Sequence, residues 1–383
     1  MSLRILVTGG AGFIGSRTVL RLLEEGHEVT VYDNLAPQIH GADPSTSFTL
    51  GLLRGKCELV RASVNDAEAL AGAVKGKDAV LHLAAETGTG QSMYQVSHYV
   101  ETNVGGTAHL AEAILTAGQS VGRVVLASSR SIYGEGAYRC ATHGVVYPKQ
   151  RLAEDLSEGR FELRCPVCGQ FAVVAPTTED AAVNPLSVYA ATKLQQEHLL
   201  RTALSQHDSA LVTLRYQNVY GPGQSLRNPY TGILSIFSGA IIAGKRVSIF
   251  EDGLESRDFV YIDDVAEANV RALVRPVQAD VEINIGMGLA TSVLDVYKGV
   301  ARALGKAEDF TMSGEYRIGD IRHCFADVSE MRKTLDFSAT VSFAEGTRRV
   351  AEWATARMAI EGDEGAGYER SIAELRRRNL LKR

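Results

Sequence analysis

The sequence has few of the features that mark secreted, membrane or nucleic-acid-binding proteins. Its 383 residues include only five cysteines, nine prolines and one tryptophan. No apolar run is long enough to cross a bilayer, and a formal net charge of −5 gives no indication of a general nucleic-acid binder. A core strand is expected from Leu3 onwards, which leaves no room for a signal peptide. We therefore expect a cytoplasmic protein without disulfides, membrane association or a nucleic-acid partner.

What is present is typical of a large globular enzyme. The hydrophobic and charged fractions are 45% and 22%, and the length suits two lobes better than one. Short apolar runs alternate with helical periodicity at intervals near thirty residues, which predicts an α/β fold with a doubly wound parallel sheet. Strands are predicted at 3–7, 28–32, 57–60, 79–84, 124–127 and 211–214, and helices at 16–25, 65–73, 99–115 and 188–204.

The first strand runs into a glycine-rich turn. Gly10, Gly12 and Gly15 have the spacing G-x-G-x-x-G between a strand and a helix, which predicts a Rossmann-type turn that holds the pyrophosphate of a dinucleotide. Asp33 ends the second strand, where its carboxylate can accept from a ribose 2′-hydroxyl and would repel a 2′-phosphate. NAD is therefore favoured over NADP. The alternative is a glycine-rich turn without a ligand.

A second pattern indicates proton transfer. Tyr189 and Lys193 lie one helical turn apart, so the phenol and the ammonium can share a face, and the cation is expected to lower the pKa of the phenol. Ser128 and Ser129 follow a predicted strand, at the sheet edge where open parallel sheets bind ligands. By itself Y-x-x-x-K is common and usually structural; its combination with the glycine turn is specific.

Seven stretches together resemble the extended short-chain dehydrogenase/reductase superfamily, in particular its nucleotide-sugar epimerases and dehydratases. They are T-G-G-A-G-F-I-G (8–15), D-N (33–34), H-L-A-A-E (82–86), S-S-R-S-I-Y-G (128–134), Y-A-A-T-K (189–193), R-Y-Q-N-V-Y-G-P-G-Q (215–224) and R-D-F-V-Y-I-D-D-V (257–265). The string A-A-E-T-G-T-G-Q-S-M (84–93), together with S-S-R (128–130), is most similar to the dTDP-L-rhamnose 4-epimerase type, with UDP-glucose 4-epimerases as the wider group.

The resemblance implies site residues. Tyr189 is the implied acid/base, Lys193 also holds the nicotinamide ribose, and Ser129 bonds the sugar hydroxyl that is oxidised. The implied NAD contacts are Gly9, Gly12, Phe13, Ile14, Gly15, Asp33, Asn34, Ser63, Val64, Leu83, Ala84, Ala85, Asn103, Tyr189 and Lys193. The implied contacts to a nucleotide-diphosphate sugar are Glu86, Thr87, Gly88, Gln91, Ser92, Ser129, Arg130, Ser131, Asn218, Arg257 and Arg322, the two arginines 257 and 322 as clamps on the diphosphate.

The implied reaction is NAD-dependent 4-epimerisation, in which C4 is oxidised to a ketone and hydride returns to the other face. The 4,6-dehydratases of the family carry Asp-Glu where this chain has Arg130 and Ser131, so dehydration is not expected. Ser63 stands where relatives often carry an Asp that reads the adenine, which predicts a weaker or water-mediated adenine contact. The alternatives are a 4-ketoreductase, a 3,5-epimerase that uses a further acid/base such as His323 or Cys324, and a non-catalytic NAD-binding regulator.

Residues 134–178 interrupt the α/β rhythm and are predicted to be an insertion. Cys140, His143, Cys165 and Cys168 form two pairs with two residues inside each pair and 21 residues between the pairs. This spacing predicts a structural tetrahedral zinc site, the alternative being four scattered core residues. Because the segment leaves and re-enters near the predicted site, we expect it to form part of the rim over the sugar. Cys57 and Cys324 are expected to be buried.

The predicted domain organisation has three parts. Residues 1–184 form the NAD-binding domain with its insertion, 185–350 carry the catalytic helix, the last sheet elements and the nucleotide-sugar lobe, and 351–383 form a helical tail. The tail is expected to end in a basic amphipathic helix that contains Arg376, Arg377 and Arg378 on a solvated face. The helices around Asn103 and Tyr189 resemble the dimer-forming pair of the family, which implies a homodimer.

Overall fold

The computed structural model describes residues 2–118, 121–226, 228, 230, 232–277, 280–361 and 366–383. The strands are β1 (Arg4–Thr8), β2 (Glu28–Asp33), β3 (Glu58–Arg61), β4 (Ala79–His82), β5 (Arg123–Ser129), β6 (Tyr138–Cys140), β7 (Gly144–Val146), β8 (Val173–Val174), β9 (Ala210–Tyr216), β10 (Asn218–Tyr220), β11 (Val247–Ile249), β12 (Ser256–Arg257), β13 (Phe259–Tyr261), β14 (Val281–Ile285), β15 (Thr291–Ser292), β16 (Phe310–Met312), β17 (Tyr316–Arg317), β18 (His323–Cys324) and β19 (Leu381–Lys382).

The α-helices are α1 (Phe13–Glu24), α2 (Pro37–His40), α3 (Phe48–Leu53), α4 (Ala67–Val74), α5 (Thr89–Ser92), α6 (Val96–Tyr99), α7 (Gly106–Leu115), α8 (Ala153–Ser157), α9 (Val188–Leu204), α10 (Ile233–Ile242), α11 (Ile262–Val274), α12 (Val293–Ala303), α13 (Ser329–Leu335), α14 (Phe343–Glu361) and α15 (Ala366–Arg377). Short 3₁₀ turns cover Pro44–Thr46 and Arg130–Tyr133, and Val100–Gly105 is π-helical. Among the described residues, no helix combines the length and the apolar composition needed to span a bilayer.

A seven-stranded parallel sheet forms the centre of the fold, in the order β14-β9-β5-β4-β1-β2-β3. Both faces are covered by helices. On one face Ile5 and Val7 pack towards α1 and α11, and on the other Leu6 and Val80 pack towards α4, α7 and α9. Since most side chains of β1, β4, β5 and β9 are buried, these strands read as nearly continuous apolar runs. The predicted Rossmann-type fold is confirmed.

The order of the strands reverses between β1 and β4, which are neighbours in the sheet although β2 and β3 lie between them in the chain. Ligands of open α/β sheets bind in the crevice outside the carboxyl ends of the strands at such a reversal. The glycine-rich turn follows β1, and Ser128 and Ser129 end β5. The topology therefore brings the two predicted motifs to one edge.

A second apolar core packs the short strands β10, β11 and β13 against α10, α12 and α14. This core is rich in aromatic residues, with edge-on contacts of Tyr220 with Phe259 and Tyr261, and of Phe237 with Tyr297. β10 leaves the end of the central sheet and pairs with β13 in parallel, so that this core begins at the carboxyl edge.

The insertion forms a small three-stranded antiparallel sheet, β7-β6-β8, with α8 beside it. Its apolar core consists of six buried residues, Tyr138, Cys140, Val146, Leu163, Cys165 and Ala172. Two of the six are predicted metal ligands, so little ordinary apolar material holds this segment together.

Three local predictions need correction. The predicted helix over 99–115 is divided into a π-helical turn and α7. The tail helix ends at Arg377, and Leu381 and Lys382 instead pair with Arg317 and Tyr316, because Leu381 is buried against that strand. Cys57 is half-buried, whereas Cys324 is buried as expected.

Candidate active site

The glycine-rich turn between β1 and α1 has no room for side chains. Gly9 has φ of +67°, and a Cβ on it would lie 2.8 Å from the backbone nitrogen of Ala84. A Cβ on Gly15 would lie 2.3 Å from the carbonyl oxygen of Gly9. The first-turn N–H groups of α1 have no acceptor inside the helix, so this end of α1 suits a phosphate.

Asp33 lies beside this turn with its carboxylate held by the backbone. One oxygen accepts from the N–H of Ala11 at 3.0 Å and the other from the N–H of Leu35 at 2.9 Å. The Nε2 of buried His40 stands 3.7 Å from the same carboxylate. A carboxylate fixed in this way keeps lone pairs for ribose hydroxyls and repels a phosphate, which fits NAD. His40 was not predicted, since nothing in its local sequence marks it.

A cavity of about 470 Å³ runs from the glycine turn to the ends of β5 and β9. Most predicted contact residues line it: Gly9, Gly12, Phe13, Ile14, Gly15, Asp33, Asn34, Val64, Leu83, Ala84, Ala85, Glu86, Thr87, Gly88, Ser129, Arg130, Ser131, Tyr189, Lys193 and Asn218. Six do not: Ser63, Gln91, Ser92, Asn103, Arg257 and Arg322. The lining also includes His40, Tyr216, Gln224 and Tyr230, which the sequence analysis missed.

Tyr189 and Lys193 enter the cavity from the first turns of α9. The helix begins cleanly because the Ser187 hydroxyl accepts from the N–H of Ala190 at 3.1 Å. The Lys193 ammonium donates to the carbonyl of Ala127 at 2.9 Å, and burial lowers the pKa of Lys193 to about 7 against the opposing charge of Glu197. This bond anchors α9 to the carboxyl end of β5.

Burial raises the pKa of the Tyr189 phenol, while a hydrogen bond with Ser129 and the charge of Arg130 oppose the rise. The positive charge of Arg130 therefore favours the phenolate of Tyr189, and the effect expected of Lys193 stays a prediction. Ser129 is itself fixed, since its Oγ lies 2.9 Å from that of Ser131. Arg130 donates from Nε to the Oδ1 of Asn218 at 2.7 Å.

A buried charge network supports these groups from behind. Arg215 on β9 donates to both carboxylate oxygens of Glu197 on α9, at 2.9 and 3.1 Å, and to the hydroxyl of Tyr133 at 2.9 Å. Ser128 donates to the same carboxylate. Glu197 lies one helical turn beyond Lys193, on the face that carries Tyr189. That spacing is the signal by which Glu197 could have been found.

Asn103 does not line the cavity, but it hydrogen-bonds to a residue that does, Glu86, and to the catalytic helix. From the π-helical turn its side chain accepts from the N–H of Glu86 at 2.7 Å and donates to the Glu86 carbonyl at 3.1 Å and to Thr192 Oγ1 at 3.0 Å. It therefore ties the sugar-side loop to the catalytic helix. Gln91 similarly lies behind the wall, bonded to Gln38 at 3.0 Å.

The two predicted arginine clamps differ. Arg257 donates from Nη2 to the carboxylate of Asp320 at 2.9 Å and from both Nη atoms to backbone carbonyls. Arg322 is fully buried among carboxylates. Its Nε and both Nη groups donate five bonds of 2.6 to 3.0 Å to Glu162, Glu251 and Asp252. A guanidinium has five N–H donors, so none is left for a diphosphate. The geometry does not fit the role predicted for Arg322.

The guanidinium of Arg317 has a different environment from that of Arg322. Arg317 stacks on the ring of Phe250 at 4.7 Å, and its buried Nε has no hydrogen-bond partner among the described residues. The charges of Arg257, Arg317, Arg151 and Arg130 lower the pKa of Asp320. The basic groups on this side of the molecule therefore surround one carboxylate.

The four predicted metal ligands converge. One ligand atom from each of Cys140, His143, Cys165 and Cys168 lies within 4.8 Å of the other three. Cys140 Sγ is 3.7 Å from Cys168 Sγ, and His143 Nδ1 is 3.6 and 3.5 Å from Cys140 Sγ and Cys165 Sγ. A zinc tetrahedron with bonds near 2.3 Å to sulfur and 2.1 Å to nitrogen has edges of about 3.5 to 3.8 Å. The cluster has the dimensions of such a site.

The insertion does not form the sugar rim that was expected. Of the residues described between 134 and 178, none lines the cavity. Instead the insertion braces the segment that carries Asp320. Arg151 donates to the Asp320 carbonyl at 3.0 Å and to Glu251 at 2.7 Å, and Glu162 holds Arg322 and His323.

The sequence matches the NAD dependent epimerase/dehydratase family over residues 5–150 and 165–286, more than half of its length. The chain belongs to this family. The predicted resemblance is thereby confirmed.

Relatives inside the family include several epimerases. The dTDP-L-rhamnose 4-epimerase of Burkholderia thailandensis is 42% identical over 91% of this chain and 94% of its own length. The UDP-glucose 4-epimerase of Mycolicibacterium smegmatis is 34% identical over 92% of this chain and 98% of its own. The Bacillus cereus UDP-glucuronic acid 4-epimerase, solved with UDP-glucuronic acid and NAD, superposes with a TM-score of 0.75 at 26% identity and covers 93% of this chain and 100% of its own.

Proposed function

We propose that this chain is an NAD-dependent nucleotide-sugar 4-epimerase, with a dTDP-6-deoxysugar as the first substrate to test. The observation that carries the proposal is that Ser129, Tyr189 and Lys193 line one cavity together with the glycine turn and Asp33. The choice of sugar is supported by the 42% identity with a dTDP-L-rhamnose 4-epimerase.

The residues around the cavity fit NAD. The turn at Gly9 and Gly15 would hold the pyrophosphate at the first turn of α1, Asp33 the adenosine ribose, and Lys193 the nicotinamide ribose. When bound, NAD supplies a hydride acceptor that becomes the donor of the return step. Because an epimerase needs the same dinucleotide for both steps, tight retention is expected.

The chain's own residues handle the proton. Tyr189 Oη takes the proton of the C4 hydroxyl as the C4–H bond breaks, and returns it after the flat 4-keto sugar has turned over. Ser129 orients the sugar oxygen, while the charge of Arg130 favours the phenolate that must accept the proton. Arg130 and Ser131 occupy the positions where the dehydratases of the family carry a carboxylate pair, so the 4-keto sugar is expected to be reduced again and not to lose water.

The other sugar reactions have less support. A 3,5-epimerase needs a second acid/base at the sugar, and neither candidate lines the cavity. His323 is bonded to Ser256 at 2.8 Å and Glu162 at 3.2 Å, and Cys324 is buried. A net 4-ketoreductase would consume NADH, which the product assay below detects. The presence of both Tyr189 and Lys193 counts against a non-catalytic regulator.

The nucleotide diphosphate is proposed to bind Asn218 and Arg257, with Arg317 rather than Arg322 as the second arginine. Asn218 lines the cavity, and Arg257 sits opposite Asp320, a carboxylate that an incoming diphosphate can replace as its partner. The part of Arg317 in this group is supported by its buried Nε, which has no hydrogen-bond partner within the part of the chain that the structure describes.

We further propose that the four-ligand cluster of the insertion binds a structural Zn²⁺ ion. The distances between its sulfur and nitrogen atoms support tetrahedral coordination, and four protein ligands leave no open position for catalysis. The proposal also includes the three-part domain division given above, a cytoplasmic location and a homodimer through the helices of Asn103 and Tyr189, each supported by the sequence patterns and the family resemblance.

The test is product analysis with a panel of dTDP-, UDP- and GDP-sugars and the protein as purified. A C4 epimer with no net NADH supports the proposal, whereas stoichiometric NADH or a 4-keto-6-deoxy product contradicts it. Tyr189→Phe is expected to lower the rate by about 10²- to 10⁴-fold without loss of bound NAD. Tyr147→Phe, a tyrosine outside the cavity, is the matched control and is expected to retain full activity.

A further inference from the structure

The C-terminal segment, residues 366–383, is anchored at its end to the nucleotide side of the molecule. β19 pairs antiparallel with β17, and the N–H of Ile318 donates to the carbonyl of Leu380 at 2.9 Å. Arg376 adds an ion pair with Glu315 at 2.9 Å. The chain therefore ends beside the strand that carries Arg317 and precedes Asp320.

The helical part of the same segment contacts the sugar side. Leu375 is buried, and its Cδ2 lies 3.5 Å from the position of a Cβ on Gly90. The guanidinium carbon of Arg378 lies 4.3 Å from the ring centroid of Tyr94, a cation–π distance. One short segment thus bridges the turn at 315–320 and the turn at 89–94.

The contact with Tyr94 continues into the cavity. The Tyr94 hydroxyl is 2.7 Å from that of Tyr230, and Tyr230 lines the cavity. The Cβ of Tyr230 is in turn 3.0 Å from the position of a Cβ on Gly88, which also lines it. Gly88 and Tyr230 lie outside helices and strands and Thr89 begins the short helix α5, so their placement depends on what packs behind them.

We propose that the C-terminal segment positions the wall formed by Gly88, Thr89 and Tyr230, with Leu375 and Arg378 as positioning residues for the sugar. This inference rests on the proposed function, which assigns that wall to the sugar. During epimerisation the C4 hydride has passed to NAD⁺ and the hydroxyl proton to Tyr189, so a 4-keto sugar nucleotide that escapes leaves NADH behind. A loosened wall permits that escape.

The experiment compares Arg378→Ala with Arg377→Ala. Both arginines pair with Glu374 on the same helix, but only Arg378 stacks on Tyr94, and Arg377 is 73% exposed. Arg378→Ala is expected to raise KM for the nucleotide sugar about two- to five-fold, with kcat nearly unchanged. It is also expected to accumulate reduced nicotinamide during turnover, measured by its absorbance. Arg377→Ala is expected to match the wild type in both.

A second variant lacking residues 366–383 is expected to show both effects more strongly, by an order of magnitude or more in KM. Wild-type KM and no reduced nicotinamide in a folded Arg378→Ala protein would overturn the inference. If the truncated chain aggregates, Arg378→Ala alone decides.

The two proposals can fail separately. If the wild type epimerises no sugar in the panel, the proposed function fails. The wall is then tested by calorimetric titration of the wild type, Arg377→Ala and Arg378→Ala with UDP-glucose, dTDP-glucose and the nucleoside diphosphates alone. Selective weakening of the sugar nucleotides in Arg378→Ala supports the inference, whereas equal affinities in all three proteins contradict it.

Discussion

The glycine turn on the central sheet and the insertion at 134–178 are stabilised by different kinds of interaction. The turn is supported by strands with both faces buried under helices, and its shape is set by backbone contacts too close for a Cβ. The insertion has six core residues, two of them cysteines of the metal cluster, and leaves Val145, Phe171 and Val173 exposed. Apolar burial orders the first region, and we propose that metal ligation together with ion pairs orders the second.

The largest expected effect is at the turn. Gly15→Ala would place a methyl group 2.3 Å from the carbonyl of Gly9, so the turn must open. We expect loss of bound NAD, activity below about 1% and a fall of about 1–3 kcal/mol in the free energy of unfolding. Gly72→Ala is the control, because Gly72 lies on α4 with open space around its Cβ position, and it is expected to stabilise by about 0.4–1 kcal/mol. NAD content and denaturant unfolding measure both; a Gly15→Ala protein with full NAD content would contradict the role of the turn.

Removal of the metal is expected to have an intermediate effect confined to the insertion. Cys165→Ser, or a chelator, is expected to release zinc and raise proteolysis within 141–172 at least about ten-fold, while the central sheet still unfolds at its normal denaturant midpoint. Activity is expected to fall only several-fold, because Arg151 would no longer brace Asp320. Cys57→Ser, outside the cluster, is the control for metal analysis and limited proteolysis. Simultaneous unfolding of sheet and insertion would remove the distinction between the two regions.

The third expected effect, on stability alone, comes from the protonation of His82 on β4. His82 is buried between Thr8 at 2.7 Å and Thr107 at 3.0 Å, and burial lowers its pKa to about 3. Below pH about 6.5 His82 binds a proton in the unfolded chain, whereas in the folded chain it stays neutral down to pH about 3. The free energy of unfolding therefore falls as the pH falls from about 6.5 towards 3. Between pH 8 and 5 the loss is about 2 kcal/mol.

The measurement for His82 is the free energy of unfolding across that pH range in wild type and His82→Gln. The variant is expected to have lower stability at pH 8 and a shallower slope. Equal slopes would mean that His82 does not sense acid in the folded sheet.

The same contrast explains what the sequence could predict. Buried parallel strands and a G-x-G-x-x-G turn each have a recognisable local sequence pattern. The sheet, Asp33 at the end of β2 and the placement of Tyr189 and Lys193 on α9 could therefore be predicted. The Cys/His spacing likewise predicted a cluster whose ligand atoms converge. Contacts between distant segments leave no such signal. The five hydrogen bonds that Arg322 donates depend on Glu162, Glu251 and Asp252, which only the folded chain brings together.

The predictions that need correction also depend on contacts between distant segments. The insertion leaves and re-enters the chain near the cavity, but its docking is decided by Arg151 and Glu162 meeting partners about 100 to 170 residues away. The charge of Arg130, at the start of the 3₁₀ turn after β5, opposes the rise in the pKa of Tyr189, and Lys193 donates to the Ala127 carbonyl. The tail strand forms because Leu381 finds a buried place beside β17.

The π-helical turn at Val100–Gly105 contains one residue more than an α-helical path over the same distance. Each residue turns an α-helix by about 100°, so that extra residue sets the direction in which everything before α7 points. Asn103 lies inside the turn and uses both ends of its amide, on Glu86 and on Thr192. A chain that lost one residue here would keep the helix and its apolar contacts, yet aim this amide elsewhere. Deletion of a single residue in this turn would then uncouple the sugar-side loop from the helix that carries Tyr189.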